Sequence, residues 1–245
     1  MARGYVLEAA TKWAEASEFF ARVVDLLPGD LDDGLRAREE QAWCQVQTGD
    51  DHRGVDSLQH VLQSLNDLDD RDTDQARCLW RLGKCHWELG GEESVLFPHP
   101  FQMNLLFIGD KREEAFRYFI QSLKRSPEYA PAFTSLGIYY LECADPPDPT
   151  RATKCFQKAF ELDEREAEAA RRLAEGFAEE REWDLVEVVA RRTIDGEGGA
   201  EAGVKTTEGS TSARYLPTNA WAWKAVGIVE LVSPCSHHPV HDFVP

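Results

Sequence analysis

Residues 129–164 read YAPAFTSLGIYYLECADPPDPTRATKCFQKAFELDE, and the other segments of the chain can be aligned to them. Small, large apolar and aromatic residues recur in this stretch mostly at intervals of three and four, which places them along one face of each of two α-helices. In order, these residues are Phe133, Leu136, Gly137, Tyr140, Ala152, Phe156 and Ala159. The stretch therefore predicts two amphipathic helices joined by a Pro-rich turn.

This order of residues is the tetratricopeptide (TPR) pattern, a repeat of about 34 residues that folds as an antiparallel helix pair. Small residues, here Gly137 and Ala152, are expected where the two helices cross closely, and the aromatic residues fill the space on either side. One helix pair cannot bury its apolar face alone, so further copies are expected. The sequence predicts an all-α fold, a right-handed TPR solenoid of about five units plus a partial sixth.

The remaining units follow the same template along most of the chain. The units are predicted near 1–33, 35–68, 76–128, 129–165 and 166–195, followed by a flexible Gly-rich linker at 196–214, the first helix of a further unit at 215–231 and an irregular tail at 232–245. The template positions outside the opening stretch are Gly4, Ala16, Phe20, Pro28, Leu82, Gly83, Ala115, Phe119, Pro127, Trp223 and Gly227. Since Met1 falls inside a first helix, we expect the chain to be an internal fragment of a longer array, with a gene model that starts too late as the alternative.

The third unit contains an irregular insertion at 91–110, GEESVLFPHPFQMNLLFIGD. The small position of its second helix is expected twelve residues after Gly83, but Ala115 follows thirty-two residues after it. One interpretation is a binding loop. We favour the other, a translated intron, because Gly91-Glu92 can be encoded by a splice-donor sequence. The tail from Val232, VSPCSHHPVHDFVP, allows the same interpretation, and the sequence of the mature transcript distinguishes the two.

The composition narrows the possible partners. The chain has 27 basic and 44 acidic residues and a formal net charge of −17, which argues against direct binding to nucleic acid. No apolar run of about 18 residues is present and the N-terminus lacks the pattern of a signal peptide. We therefore expect no membrane association and a cytoplasmic location, with the nucleus left open as a second compartment.

No catalytic or cofactor-binding motif is found, so we predict no catalytic, cofactor-binding or metal site. The six cysteines form no C-x-x-C pair and are expected to be free thiols. The tail residues Cys235, His237, His238 and His241 are metal ligands in type, but no folded framework is predicted to hold them.

Some TPR co-chaperones grip acidic peptide C-termini with Lys, Asn and Arg side chains of the first helices. The residues at the corresponding positions are Trp80 and Lys84, Thr134 and Ile138, and Arg171 and Glu175. These pairs do not form such a clamp. A co-chaperone or a generic TPR adaptor in an unrelated complex is therefore kept only as an alternative.

Four segments resemble one particular family of TPR proteins. They are RATKCFQKAFELD at 151–163, EAEAARRLAE at 166–175, WDLVEVVARR at 183–192 and YLPTNAWAWKAVG at 215–227. Together they resemble the TPR subunit of the superkiller complex. The resemblance implies a non-catalytic scaffold that holds an RNA helicase and a WD40 protein. It also implies a place in an assembly that feeds RNA to the cytoplasmic exosome for 3′-to-5′ mRNA decay, without direct contact with nucleic acid, a membrane or a small-molecule substrate.

Overall fold

The computed structural model describes residues 1–27, 29–96, 103–199 and 220–232, and in these residues all regular secondary structure is α-helical. The prediction of an all-α fold is confirmed. The helices are α1 (Ala2–Ala9), α2 (Trp13–Leu26), α3 (Asp33–Gln47), α4 (Asp51–Asn66), α5 (Asp72–Leu96), α6 (Met103–Arg125), α7 (Ala130–Glu142), α8 (Pro149–Leu162), α9 (Ala167–Glu179), α10 (Trp183–Gly199) and α11 (Ala220–Val232). None of the described helices is both long and apolar enough to cross a lipid bilayer.

The chain divides into two bodies, Met1–Cys143 and Ala144–Pro245, which we call the N-terminal and C-terminal bodies. In the N-terminal body each helix from α1 to α6 packs against the next, and α3 also contacts α5. In the C-terminal body α9 packs against α8 and α10, and α10 packs against α11. Packing between neighbours in the sequence is the arrangement that a helical repeat requires, because each helix pair buries its apolar face on the next pair.

Two aspartate side chains cap the starts of helices, and a glycine follows the end of α3. The side chain of Asp30 accepts hydrogen bonds from the backbone N–H groups of Asp32 and Asp33, at 2.8 and 2.7 Å, and so satisfies donors at the start of α3. Gly49 follows the same helix with a φ of 87°, a left-handed conformation that glycine adopts without strain. Asp148 caps α8, whose first residue is Pro149.

Two helix pairs are built on the same contact between a glycine and a phenylalanine. A Cβ atom placed on Gly4 of α1 would lie 2.4 Å from the ring of Phe20 in α2, and one placed on Gly83 of α5 would lie 2.5 Å from the ring of Phe119 in α6. The first pair is sixteen residues apart and the second is thirty-six. The twenty additional residues of the third unit therefore leave the crossing of α5 and α6 intact.

The prediction that residues 91–110 form an irregular insertion is wrong at both ends of the segment. α5 continues to Leu96 and α6 begins at Met103, so both ends of the insertion are helical where an irregular segment is predicted. Glu, Leu and Met are good helix formers and extend each helix toward the two prolines, Pro98 and Pro100, which disfavour its continuation. Residues 97–102 lie outside the described part of the chain.

The predicted linker at 196–214 also begins later than expected, since α10 runs to Gly199. Glycine lowers helix propensity by about 1 kcal/mol per residue but does not forbid a last turn. α11 starts at Ala220 and ends at Val232, one residue past the expected end of that helix. Residues 200–219 and 233–245, which include most of the linker and the tail with its Cys and His residues, lie outside the described residues.

We expect Gly83→Ala to lower the free energy of unfolding by about 1–3 kcal/mol, because the new methyl group would overlap the ring of Phe119 and lie 3.2 Å from the carbonyl oxygen of Ala115. Gly176→Ala in α9 is the matched control, since a Cβ there meets nothing within 4 Å. It should raise the stability by about 0.5–1 kcal/mol through helix propensity. Urea unfolding followed by circular dichroism measures both, and an equal shift in the same direction would contradict the proposed crossing.

Candidate functional site

The first helices of successive repeats in the N-terminal body (α1, α3, α5 and α7) are connected by side-chain contacts, and we call the surface they form the first-helix face. Between α1 and α3, the Nε of Arg36 donates a hydrogen bond to the hydroxyl oxygen of Tyr5 at 2.9 Å. Between α5 and α7, the indole nitrogen of Trp80 donates to the hydroxyl of Ser135 at 2.9 Å. The first-helix face is thus held together by specific polar contacts as well as by apolar packing.

A buried ionic network connects α3 to α5. Glu39 and Glu40 are 1% and 2% exposed, although both are charged residues in the middle of α3. The two carboxylate oxygens of Glu39 accept from Nε and Nη2 of Arg77 at 2.9 and 2.6 Å, and Arg77 also contacts Asp74 at 2.8 Å. Arg81 donates to Glu39 at 3.1 Å and to Glu40 at 2.5 Å. The bidentate geometry makes this a directional link between two repeats.

The two arginines of the network keep their positive charge in the folded protein. Burial alone would lower the pKa of Arg77, but the hydrogen bond and the negative charge of Glu39 outweigh it and the pKa is raised. For Arg81, burial again acts to lower the pKa, and the charges of Glu39 and Glu40 raise it overall. Both guanidinium groups therefore stay protonated and paired inside the chain. They form a fixed ionic layer of the first-helix face.

An aromatic row lies on the same face. The ring centroids of Trp43 and Trp80 are 6.0 Å apart, and Trp80 lies 6.0 Å from Tyr129 in an edge-to-face arrangement. The guanidinium of Arg81 lies 5.4 Å from the ring of Trp43, within cation–π distance. All three rings are half-buried. Aromatic side chains of this kind are enriched among the residues that anchor protein partners.

The two cations at the co-chaperone clamp positions, Lys84 and Arg171, are already paired with carboxylates. Lys84 lies 4.0 Å from Glu88 on its own helix. Arg171 contacts Glu168 at 2.8 Å and Glu175 at 3.2 Å. These cations are therefore engaged within their helices.

The described cysteines are free thiols, as the sequence predicts. They are Cys44, Cys78, Cys85, Cys143 and Cys155. Burial raises the pKa of Cys85 to about 12 and that of Cys155 to about 11, so these two stay protonated near neutral pH. In the described ranges, no group of three or more His, Cys, Asp and Glu residues is placed to hold a metal ion.

His86 lies at the interface of α5 and α6. It is 6% exposed, its ring stacks on Tyr118 at a centroid distance of 5.2 Å, and its Nδ1 lies 3.2 Å from a carboxylate oxygen of Glu114 without hydrogen-bond geometry. Burial lowers the pKa of His86, Glu114 opposes this shift and Lys111 adds to it. The neutral imidazole is therefore the form that the fold favours.

Most of the predicted repeat positions are buried in the structure. The buried ones are Gly4, Ala16, Phe20, Leu82, Gly83, Ala115, Phe119, Leu136, Gly137, Ala152, Phe156 and Ala159. Phe133 and Tyr140 are half-buried, Pro127, Trp223 and Gly227 are exposed, and Pro28 lies outside the described residues.

Sequence reasoning missed the ionic network, because it assigns charged helix residues to a solvated face. A signal was available in the repeat register. Glu39 and Glu40 precede Ala42 by three and two residues, and Arg81 precedes Gly83 by two residues. Ala42 and Gly83 hold the same template position, so Glu40 and Arg81 occupy equivalent places on adjacent first helices. Opposite charges at equivalent positions of neighbouring repeats predict a contact between them.

Two yeast proteins are similar to this chain in sequence. Superkiller protein 3 of Schizosaccharomyces pombe is 37% identical over 204 residues, which cover 83% of this chain and 12% of that protein. Superkiller protein 3 of Saccharomyces cerevisiae is 27% identical over 236 residues, covering 94% of this chain and 14% of that protein. The chain thus spans only about an eighth of the length of these relatives. No protein-family model matches the chain.

The fold is similar to that of a thermophilic TPR protein from Thermus thermophilus, with a TM-score of 0.63 and 15% sequence identity. The match covers 92% of this chain and 96% of that protein. The prediction of a TPR solenoid is confirmed by this similarity, which at such low identity concerns the fold alone.

We expect Arg81→Met to destabilise the N-terminal body by about 3–5 kcal/mol, because it leaves the carboxylate of Glu40 buried without its partner. Arg22→Met is the matched control: its ion pair with Glu18, at 3.8 Å, is exposed on both sides, so little change is expected. Urea unfolding of both variants measures the difference. Equal, small effects would show that the network contributes no more than an exposed pair.

The stability of the N-terminal body should fall as the pH drops below about 6.5, the pKa of histidine in an unfolded chain. Because the folded-state pKa of His86 is lower, the unfolded state binds the proton first, and the contribution present above that pH is lost on acidification. His86→Phe should reduce this loss between pH 7.5 and 5, whereas His52→Gln on the exposed side of α4 should leave it unchanged. Urea midpoints measured across this range test the difference, and identical profiles for His86→Phe and the wild type would contradict it.

Proposed function

Because the chain is homologous to superkiller protein 3, we propose that it is a scaffold segment that uses its TPR helices to hold other proteins together. The observation that carries the proposal is the 37% identity along 83% of the chain. The resemblance of 151–163, 166–175, 183–192 and 215–227 to the TPR subunit of the superkiller complex supports the same conclusion.

The partners that the resemblance implies are an RNA helicase and a WD40 protein. In this proposal the assembly delivers RNA to the exosome for 3′-to-5′ mRNA decay in the cytoplasm, with the nucleus as a second location. The net charge of −17 favours contacts with RNA through the partners and not through this chain, because a strongly acidic surface repels the phosphate backbone.

The chain itself performs no catalysis in this proposal. Its buried Glu and Arg side chains bind one another, and the histidine at the α5–α6 interface is stacked between packed helices. The Glu–Arg pairs stabilise the position of one repeat relative to the next, and the histidine packs the two helices of a single repeat together. What such a scaffold supplies to its complex is a rigid arrangement of helices and of the aromatic row of Trp43, Trp80 and Tyr129.

An affinity-capture experiment tests this function. The tagged chain is mixed with the purified helicase and WD40 subunits of the superkiller complex from the same organism. We expect it to retain both, because the contacts of a scaffold reside in its folded surface. The Thermus thermophilus TPR protein, which shares the fold at 15% identity, is the matched control and should retain neither.

Recovery of neither subunit by the folded chain would contradict the assembly role. If an unbiased interaction screen then returned proteins unrelated to RNA decay, the chain would be a TPR adaptor of another complex. If it returned chaperones bound through acidic peptide C-termini, the co-chaperone alternative would be supported.

A further inference from the structure

The C-terminal body contains an apolar groove between α9, α10 and α11, with a volume of about 200 Å³. Its lining comes from small side chains of α9, from α10 and from α11. The apolar residues that line it include Ala174, Ala178, Trp183, Val186, Trp221 and Ile228. Pockets for small molecules and cofactors commonly measure about 300–1,000 Å³. The groove is therefore better matched to one or two amino-acid side chains than to a cofactor.

Positive charges outnumber negative charges among the residues that line the groove. Arg171 and Glu175 line it and pair with each other at 3.2 Å. Lys224 of α11 lies on the opposite edge, is exposed and makes no ion pair within the described part of the chain. The groove thus presents one uncompensated positive charge on a protein whose net charge is −17. A positive charge next to an apolar groove attracts an apolar ligand that carries a carboxylate.

Trp221 offers the groove its aromatic ring and no accessible hydrogen-bond donor. It lines the groove, and its indole N–H is buried without a hydrogen-bond partner among the described residues. A buried donor that lacks an acceptor costs about 1–3 kcal/mol. Because the nitrogen itself has no accessible surface, a ligand in the groove contacts the ring of Trp221 and not its N–H group.

The face of α11 continues the groove as an apolar strip. Ile228 is 38% exposed and Leu231, one helical turn further on, is 82% exposed. Residues three apart lie side by side on a helix. The exposed apolar surface therefore extends from the groove along α11, and surfaces of this kind mark sites of protein interaction.

We propose that this groove binds a segment of a partner protein in which a large apolar side chain stands beside a carboxylate. The apolar side chain enters between α9 and α11, and the carboxylate pairs with Lys224. The inference rests on the proposed scaffold function only in taking the occupant to be a protein segment.

Two peptide libraries test it on the whole chain. Both consist of fluorescein-labelled dodecapeptides with a central Leu or Phe and random flanking residues; in one the next residue is Glu and in the other it is Gln. We expect the wild-type chain to retain the Glu library at least tenfold more strongly than the Gln library. Equal retention of the two, or retention of neither, would overturn the proposal.

Three variants locate the binding site. Lys224→Glu should abolish the preference for the Glu library, whereas Lys154→Glu, the same charge change at an exposed position of α8, should preserve it. Ala225→Trp fills the groove and should lower the retention of both libraries, with helix content checked by circular dichroism. A preference that survives Lys224→Glu would place the carboxylate elsewhere and overturn the assignment.

The other possible occupant is a second copy of the chain, and light scattering distinguishes it. A wild-type dimer that Ala225→Trp converts to a monomer would show that the groove is filled by self-association, which contradicts a partner segment. The affinity capture with the helicase and WD40 subunits is read separately. Peptide binding without capture would support the groove as a binding site and contradict the proposed complex. Capture without peptide binding would support the complex and contradict the groove as a binding site.

Discussion

The close crossing of the two helices in a repeat is the constraint on which this architecture depends. At Gly4 and Gly83 the neighbouring phenylalanine ring lies so near that even a methyl group would overlap it. In the second unit the glycine lies on the second helix and the larger residue on the first: a Cβ on Gly54 of α4 would lie 2.3 Å from a methyl group of Val46 in α3. In each case a small residue on one helix allows a large one on the other to fill the crossing. The distance between the helices follows from this pair.

Much of the fold could be predicted from spacing because crossings impose a periodic pattern. Ala16 and Phe20 are four residues apart, as are Ala115 and Phe119, and all of these residues are fully buried. A contact between side chains at non-equivalent positions of different repeats leaves no such period. Glu39 and Arg77 are thirty-eight residues apart, and each looks like an ordinary charged residue on a helix surface. Their pairing depends on how two repeats stack, which only the three-dimensional arrangement supplies.

The ionic layer and the aromatic row have different roles on the first-helix face. Replacing a buried ion pair by apolar residues of similar size is often neutral or stabilising, so such pairs are weak evidence for stability. Here the bidentate contact of Arg77 with Glu39 is directional, and it fixes how α5 lies on α3. Trp43 lies on α3 and Trp80 lies on α5. The layer therefore determines the relative placement of the rings that a partner would meet.

The retention of the Gly83–Phe119 contact despite the residues at 91–110 has a consequence for how such chains change over evolutionary time. The loop end of a helix pair can acquire or shed sequence while the remote crossing keeps its geometry, since loop closure becomes only slowly less favourable with length. Insertions and deletions should therefore accumulate at these ends among related proteins. The same ends are natural places for a reporter domain to be grafted.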